Sequence, residues 1–381
     1  ERVFGLCVPA GTPVVLSAEV GGSPLLQYQW YQDGALLDGA TSAALVIPDA
    51  PYAANGNYEL AVTNSIGGIR SAAVRLAVMP PAQFCNLTND LVLHLAFEDN
   101  FNDSSGRGHD AVSSSPPTFV PGPLGKAVRV VTDPGSSTFN HLQVYDTATY
   151  AAHPDFQFST DVDFSVSYWV RFTGTPGDLP FLATAWNSYG QQGLTFAPGW
   201  ETGTWSYYLG AIPDTGDDLG TGYNTDQIND GQWHLLVHSF DRSGNAVTYL
   251  DGVEVDVRSM VGVGDLDSYY YLTIGQDPST AYAEAAVLEM DDVGIWRRAL
   301  SAYEAQSIYT VATTAGKSFD TYGPVTLQII PTGPELELIW QAGTLEQADE
   351  VNGQYTPVPG AVAPYYKVTP GAVRKFYRIK L

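Results

Sequence analysis

Apolar and polar residues alternate with a period of two along much of this chain, the spacing that sends successive side chains to opposite faces of a strand. In residues 1–80 the runs VVLSAEV, LQYQWYQDG, ALVIPDA, NYELAVTNSIG and SAAVRLAV follow one another with Gly and Asn turns between them, which predicts a small sandwich. FSVSYWVRF at 164–172 predicts a longer strand, and GQWHLLVHSFDRSGNAVTYLDGVEV at 231–255 predicts two alternating strands bounded by Ser-Gly and Asp-Gly turns. Leu288, Met290, Val293 and Ile295 mark another strand, after which Ser301 with Glu304 three residues on is a capping box that opens a short helix. From 316 onward VTLQII, ELELIWQ, YTPVPG, YYKVT and FYRIKL predict a terminal β-unit, whereas residues 178–229 crowd Gly, Asp, Thr and aromatics together without a long period.

Composition sharpens this picture. A chain of 381 residues can hold two or three domains with full cores, and 23 Tyr, 38 Gly and 25 Pro beside few Lys suit an all-β secreted architecture. A net charge of -24 with only 17 Lys and Arg argues against nucleic acid as a partner. That acidity can supply calcium ligands or simply solubility. No run approaches the roughly 18 apolar residues of a membrane span, so no membrane insertion is expected. The chain begins at Glu1 without a basic-then-apolar leader and reads as a mature product or an excised fragment. Its two cysteines, Cys7 and Cys85, bracket the first predicted sandwich.

Three stretches carry a resemblance. Residues 288–309, LEMDDVGIWRRALSAYEAQSIY, fit the pattern I-D-[DE]-V-x-[IV]-[WY]-x-R-A-L-S-x-x-E through Met290, Asp291, Asp292, Val293, Ile295, Trp296, Arg298, Ala299, Leu300, Ser301 and Glu304. Residues 91–108, LVLHLAFEDNFNDSSGRG, fit an opening strand and an F-D-G-x-x-x-D-x-S-G loop, with Phe97, Glu98, Asp103, Ser105 and Gly106 in register and Glu98 where Asp is usual. With the 231–255 hairpin, these resemble the laminin-G-like, concanavalin A-like jelly rolls, in which first and last strands meet in one sheet. That resemblance places the concave-face strands and loops in 178–229.

The first 80 residues resemble a bacterial immunoglobulin-like domain, with Trp30 at the place of its core tryptophan, Tyr58 at its tyrosine corner, and Ala18 and Leu60 where inter-sheet cysteines would stand. In such a domain the first and last strands end at one pole, which would make Cys7 and Cys85 neighbours. The expectation is an intramolecular disulfide tying the first domain to the base of the second; the alternatives are two unpaired thiols or a bond between chains. Residues 338–340, 345–348 and 376–378 resemble segments of a small C-terminal β-domain of bacterial secreted proteins. The implied fold is all-β: an immunoglobulin-like sandwich at 1–80, a linker at 81–90, a laminin-G-like, concanavalin A-like jelly roll at 91–315 and a small C-terminal β-sandwich at 316–381.

By the same resemblance Glu98, Asp103 and Asp291 are expected to share one calcium ion, with Asp99, Asn102 or Asp292 as substitutes; calcium takes six to eight oxygens at about 2.4 Å. The bland alternative is a set of solvated turn and edge carboxylates. Sugars need flat aromatic faces with amides and carboxylates beside them, and Trp186, Tyr189, Trp200, Trp205 and Tyr223 are the expected ligand contacts, with Asn187, Gln191, Tyr207 and Tyr208 nearby. Strand aromatics can equally be core, as is expected of Trp169, Trp233 and Trp296. Glucanases of this fold carry E-x-D-x-x-E; Glu289 and Asp291 begin that pattern, but Gly294 stands in the acid's place, so no enzyme is expected. His234 and His238 share a strand face without a third metal-ligand pattern and read as core or surface histidines.

The expected function is therefore non-catalytic: an extracellular or cell-surface bacterial binding or adhesion protein that recognises polysaccharide, a surface glycan or a protein through a calcium-containing lectin-like domain. The alternative is a structural subunit of an extracellular filament or surface layer, self-associating into a fibre. A polysaccharide hydrolase ranks third.

Overall fold

The strand Gly56–Thr63 buries Tyr58, Leu60 and Val62 and turns Asn57 and Thr63 to solvent, the half-buried alternation that its sequence spells out. The computed structural model describes residues 6–18, 20, 25–79, 85, 87–145, 152–177, 179–185, 192–199, 202–210, 221–223, 226–279, 285–320, 327–332, 334–340, 343–361, 363, 365–371 and 374–380. They form two compact units, one made of 1–87 with 319–381 and the other of 88–318.

In the first unit, a sheet ordered Leu6–Pro9, Val74–Met79, Gly56–Thr63, Gln27–Gln32, Ala35–Leu36, with Gly68–Arg70 beside Gly56–Thr63, shares a core with the pair Val14–Ser17 and Ala44–Ile47. The Leu6–Pro9 strand runs parallel to Val74–Met79. Trp30 is fully buried, and its indole N–H donates to the Ser42 carbonyl at 3.0 Å. The Tyr58 hydroxyl donates to the Ala54 carbonyl at 2.8 Å, fixing the corner that leads into its strand. Residues near the C-terminus add two three-stranded sheets, Gln328–Thr332, Glu335–Ile339, Tyr365–Val368 and Thr356–Pro357, Thr344–Ala348, Phe376–Lys380, around Leu338, Trp340, Leu345 and Val358. Arg75 donates to the Ala363 carbonyl at 2.8 Å, joining the two parts within this unit.

Cys7 and Cys85 are joined in a disulfide, both buried, across a sequence separation of 78. Closing so long a loop removes entropy from the unfolded chain. A Cys7→Ser/Cys85→Ser double variant should lose about 2–4 kcal/mol in the unfolding transition of this unit, read by urea titration of the variant and the oxidised wild type. Identical midpoints would show that the bond contributes nothing.

The second unit is a two-sheet sandwich. One sheet is ordered Thr118–Gly122, Gly125–Asp133, Ala286–Trp296, Phe164–Arg171, His234–Phe240, Asn245–Leu250, Val253–Ser259, with Thr138–Phe139 beside Gly125–Asp133 and Leu91–Leu95 beside Ala286–Trp296. The other is ordered Leu142–Val144, Leu272–Ile274, Leu182–Ala183, Gly193–Pro198, Trp205–Gly210, Thr221–Tyr223. First and last strands thus lie side by side, as a jelly roll requires. Leu93, Leu95, Val166, Tyr168, Phe196, Leu236, Met290 and Ile295 belong to the core between the sheets.

The helix Ala302–Ala315 follows the last strand. Its capping box forms as read from sequence, with the Glu304 carboxylate accepting the Ser301 N–H at 2.9 Å and Ser301 Oγ accepting the Glu304 N–H at 3.3 Å. It runs to 14 residues, longer than the short helix expected, and ends at Gly316 in the left-handed conformation, φ 60. The segment before it is docked by two buried serines: Ser165 Oγ donates to the Arg298 carbonyl and accepts the Leu300 N–H, while Ser239 Oγ donates to the Leu300 carbonyl.

Candidate functional site

The closing strand Ala286–Trp296 pairs with Phe164–Arg171 along one side, while its other side is divided between two strands. Gly125–Asp133 covers the first half, as far as Met290, and Leu91–Leu95 covers the second, from Val293. Asp291 and Asp292 sit at the junction. The pairing with Phe164–Arg171 slips there, and Asp292 has φ 51, so a bulge switches the inward-facing set from Leu288 and Met290 to Val293 and Ile295. Two adjacent carboxylates consequently point away from the core side chains without leaving the buried interior.

Their environments differ. Asp292 Oδ1 lies 2.8 Å from His94 Nε2 and accepts the Ser318 hydroxyl at 2.6 Å. Asp291 is fully buried; Oδ2 accepts the Leu124 N–H at 3.2 Å, and Oδ1 has no hydrogen-bond partner among the described residues. Burial, reinforced by the Asp292 charge, pushes the Asp291 carboxyl up to about 8; the Leu124 N–H works against this and Glu98 adds to it. Two residues earlier Glu289 faces the same way but carries ion pairs to both Arg129 and Arg171. The strand therefore neutralises one outward carboxylate with two guanidiniums, while the charges that act most on its neighbour are both negative.

Glu98 reaches the same place from the opening loop. Its Oε1 accepts the Lys126 N–H at 3.0 Å, two residues from the Leu124 N–H that meets Asp291. The turn 122–126 is thus held between the two acids, and its glycines make room for them. A Cβ on Gly122 would stand 2.5 Å from Asp291 Oδ2, and one on Gly125, where φ is +121, would stand 2.2 Å from Glu98 Oε1. The Gly-Pro-Leu-Gly sequence at 122–125 was the available signal for this cradle.

Asp103, expected as the third ligand, has a different role. Its carboxylate accepts the N–H of His94 at 2.9 Å, of Ser105 at 2.9 Å and of His109 at 3.0 Å, and the Ser105 hydroxyl at 2.8 Å. Although burial opposes it, these bonds hold the carboxyl below the usual range. Asp103 ties the opening loop to the first strand, and its oxygens do not gather with those of Glu98 and Asp291 into a set within 4.8 Å.

Among the expected sugar contacts, Trp205 is corrected by the structure: it is fully buried and packs beside Tyr207 and His238, so it cannot reach a ligand. Trp186, Tyr189 and Trp200 lie outside the described residues, and for Tyr223 only the strand backbone is described. Trp169 is buried and stacks on Tyr309, Trp296 is fully buried, and Trp233 is half-buried beneath Arg171. His234 lies 2.8 Å from Asp251 at one end of its strand, whereas His238 is sealed in the core.

Residues 146–306 match the family model described as the concanavalin A-like lectin/glucanases superfamily. This portion of the chain is a concanavalin A-like jelly-roll domain. No curated protein matches the chain. Solved structures similar to it include the binding domain of Paraclostridial Mosquitocidal Protein 1, at 14% identity and a TM-score of 0.49 over 74% of this chain and 70% of that one. Another is domain 4 of AbnA, an extracellular arabinanase from Geobacillus stearothermophilus, in complex with arabinotriose, at 18% identity and a TM-score of 0.41 over 57% and 97% of the two chains. A third is a structure of botulinum neurotoxin type C, whose cell entry is dependent upon interaction with two ganglioside molecules, at 14% identity and a TM-score of 0.44 over 60% of this chain and 52% of that one.

Proposed function

We propose that this chain is a non-catalytic extracellular binding protein whose jelly roll recognises polysaccharide or a surface glycan, and that Glu98 and Asp291 hold a calcium ion that pins its closing strand. One observation carries the calcium reading: a fully buried carboxylate with an oxygen, Asp291 Oδ1, that has no partner among the described residues, set beside further acids. Burying such a group is costly unless a proton or a cation meets it. A hard divalent cation suits an all-oxygen donor set of carboxylates and a loop backbone. Its part here is structural: it would tie the opening loop, the 122–126 turn and the closing strand together, with Asp292 as a neighbouring charge.

The non-catalytic reading is supported by the same strand. Glu289 is held by two arginines, and Gly294 stands where a glucanase's acid would be. An oxidising compartment suits the buried disulfide, and no described helix is long and apolar enough to cross a membrane. The immunoglobulin-like reading of the first 80 residues draws support from the buried Trp30 and the Tyr58 corner.

Two measurements on the purified chain test this. In thermal melts calcium should raise the jelly-roll transition and chelation should lower it, and Asp291→Asn should abolish the difference. A glycan array run with calcium should give binding that survives in variants of the first unit. A calcium-insensitive melt sinks the metal reading, and an array blank in calcium sinks the glycan reading while leaving the ion untouched.

A further inference from the structure

A second constellation lies in the same unit but involves none of the residues assigned to calcium. His109 follows the loop organised by Asp103, His153 caps the single-turn helix Pro154–Phe156, and Asp155 lies within it. His109 Nε2 lies 3.0 Å from Asp155 Oδ2, and His153 Nδ1 lies 3.9 Å from the same oxygen. The three donor atoms all fall within 4.8 Å of one another. In a tetrahedral zinc site, with bonds of about 2.0–2.1 Å, neighbouring donors stand about 3.3 Å apart, a value that the two observed separations bracket.

We propose that His109, His153 and Asp155 bind a divalent transition-metal ion of the zinc class and leave one coordination position open. Two imidazoles and a carboxylate are a borderline donor set that favours zinc over calcium. Three protein ligands leave a fourth position for water or for a donor group from outside.

The site is built on fixed backbone. Asp103 Oδ2 accepts the His109 N–H at 3.0 Å. On the other side the Arg297 guanidinium donates to the carbonyls of Pro154, Asp155 and Gln157 at 3.0, 3.0 and 2.6 Å. Phe156, buried, packs under the His109 ring at a centroid distance of 5.1 Å. The side chains grade outward, from His109 at 5% exposure to Asp155 at 19% and His153 at 28%, so an ion has an approach from solvent. Local bonds must yield, first the hydrogen bond between His109 Nε2 and Asp155 Oδ2, which opens to admit the ion. The Asp155 N–H also donates to His153 Nδ1 at 3.1 Å, and the lone pair it occupies has to turn to the ion. The resulting charge, one carboxylate against two on the ion, adds a positive point to a chain of net charge -24.

The test uses the untagged full chain with calcium in excess, so that acidic sites are already filled. Zinc titration calorimetry should give one ion per chain, and a cobalt probe should develop the absorption of a tetrahedral site. His153→Ala and Asp155→Asn, both at positions open to solvent, should each weaken zinc by at least about tenfold, since even an outer-shell partner's loss costs ten- to hundredfold. Asp291→Asn should leave zinc affinity unchanged. The proposal is overturned if the wild type takes up no zinc, if both variants bind like the wild type, or if Asp291→Asn is the substitution that removes binding. Near-ultraviolet circular dichroism of each apo variant confirms that the fold is retained before titration.

Discussion

Arg298→Met is expected to destabilise the jelly-roll unit by about 3–5 kcal/mol, the usual consequence of stripping one partner from a buried ion pair. Arg298 and Glu304 are each about 1% exposed and meet twice, Nη1 to Oε2 at 3.0 Å and Nη2 to Oε1 at 2.9 Å. Arg298 Nε also donates to the Asn89 carbonyl at 3.1 Å. Glu304 is at the same time the return arm of the capping box, accepting the Ser301 N–H and hydroxyl. Without the guanidinium a carboxylate stays in the interior with, among the described residues, the cap donors of Ser301 for company. Removing both charges with Arg298→Met/Glu304→Leu exchanges that penalty for the loss of the Glu304 arm of the capping box, worth about 1 kcal/mol. The double variant should therefore be more stable than Arg298→Met alone. Urea unfolding of wild type, both single variants and the double closes the cycle. If the two single losses simply add, the pair is not coupled and its place in the R-A-L-S-x-x-E run has another cause.

That run also shows what could be read in advance. Ser301 and Glu304 are three residues apart, and a capping box is a local device, so its geometry follows from spacing alone. The fold class was legible for a similar reason: strands covered on one face alternate, as in Gly56–Thr63, and an alternating string predicts a sandwich. The pattern fails where both faces are covered. Gly193–Pro198 is buried at every position, and the neighbouring strand Trp205–Gly210 sinks its tryptophan into the core. Nothing in a Gly, Thr and aromatic mixture distinguishes a core indole from a sugar platform, which is why Trp205 was misplaced.

Carboxylates were harder still. The step from Met290 to Val293 in the apolar pattern already contained the phase slip of the bulge, but not its cause, the positive φ of Asp292. Glu98 and Asp291 reach the same turn because it donates two N–H groups to two chain segments far apart in sequence. Asp103 carries the same charge as they do, yet four donors already occupy it. A sequence gives the number of acids in a loop but not which of them have spent their lone pairs. The His109, His153 and Asp155 group was invisible for a topological reason: its members are brought together only by the docking of the 153–157 turn against the opening loop.

The last expected result concerns His238 and acid. Its ring is fully buried among Tyr168, Phe196, Trp205, Tyr207 and Phe240. Nε2 lies 3.0 Å from the Tyr168 hydroxyl and Nδ1 lies 3.0 Å from Thr248 Oγ1, two neutral partners that suit a neutral imidazole. Burial lowers its pKa from 6.5 to about 3. In the unfolded chain the ring protonates near 6.5, so between 6.5 and 3 the unfolded state binds the extra proton and stability falls as pH falls. The whole window amounts to about 5 kcal/mol. Three other groups pull in the opposite sense, the first being Asp291, which burial raises to about 8 and which loses its contribution as pH rises through that range. Asp163, raised to about 6 by burial, loses its contribution as pH rises toward 6. His234, raised by its hydrogen bond to Asp251, contributes below 6.5 and loses that contribution as pH rises through its folded value. The wild-type profile sums all of these with carboxyls held low, such as Asp103 and Asp155, and only a difference isolates His238. His238→Gln keeps a polar group of similar reach and does not titrate. Its stability gap to the wild type should be widest at pH 7 and should narrow by about 3 kcal/mol by pH 4, read from urea midpoints of the jelly-roll transition at each pH. Parallel curves for the two proteins would mean that the imidazole is reached by solvent before the unit unfolds.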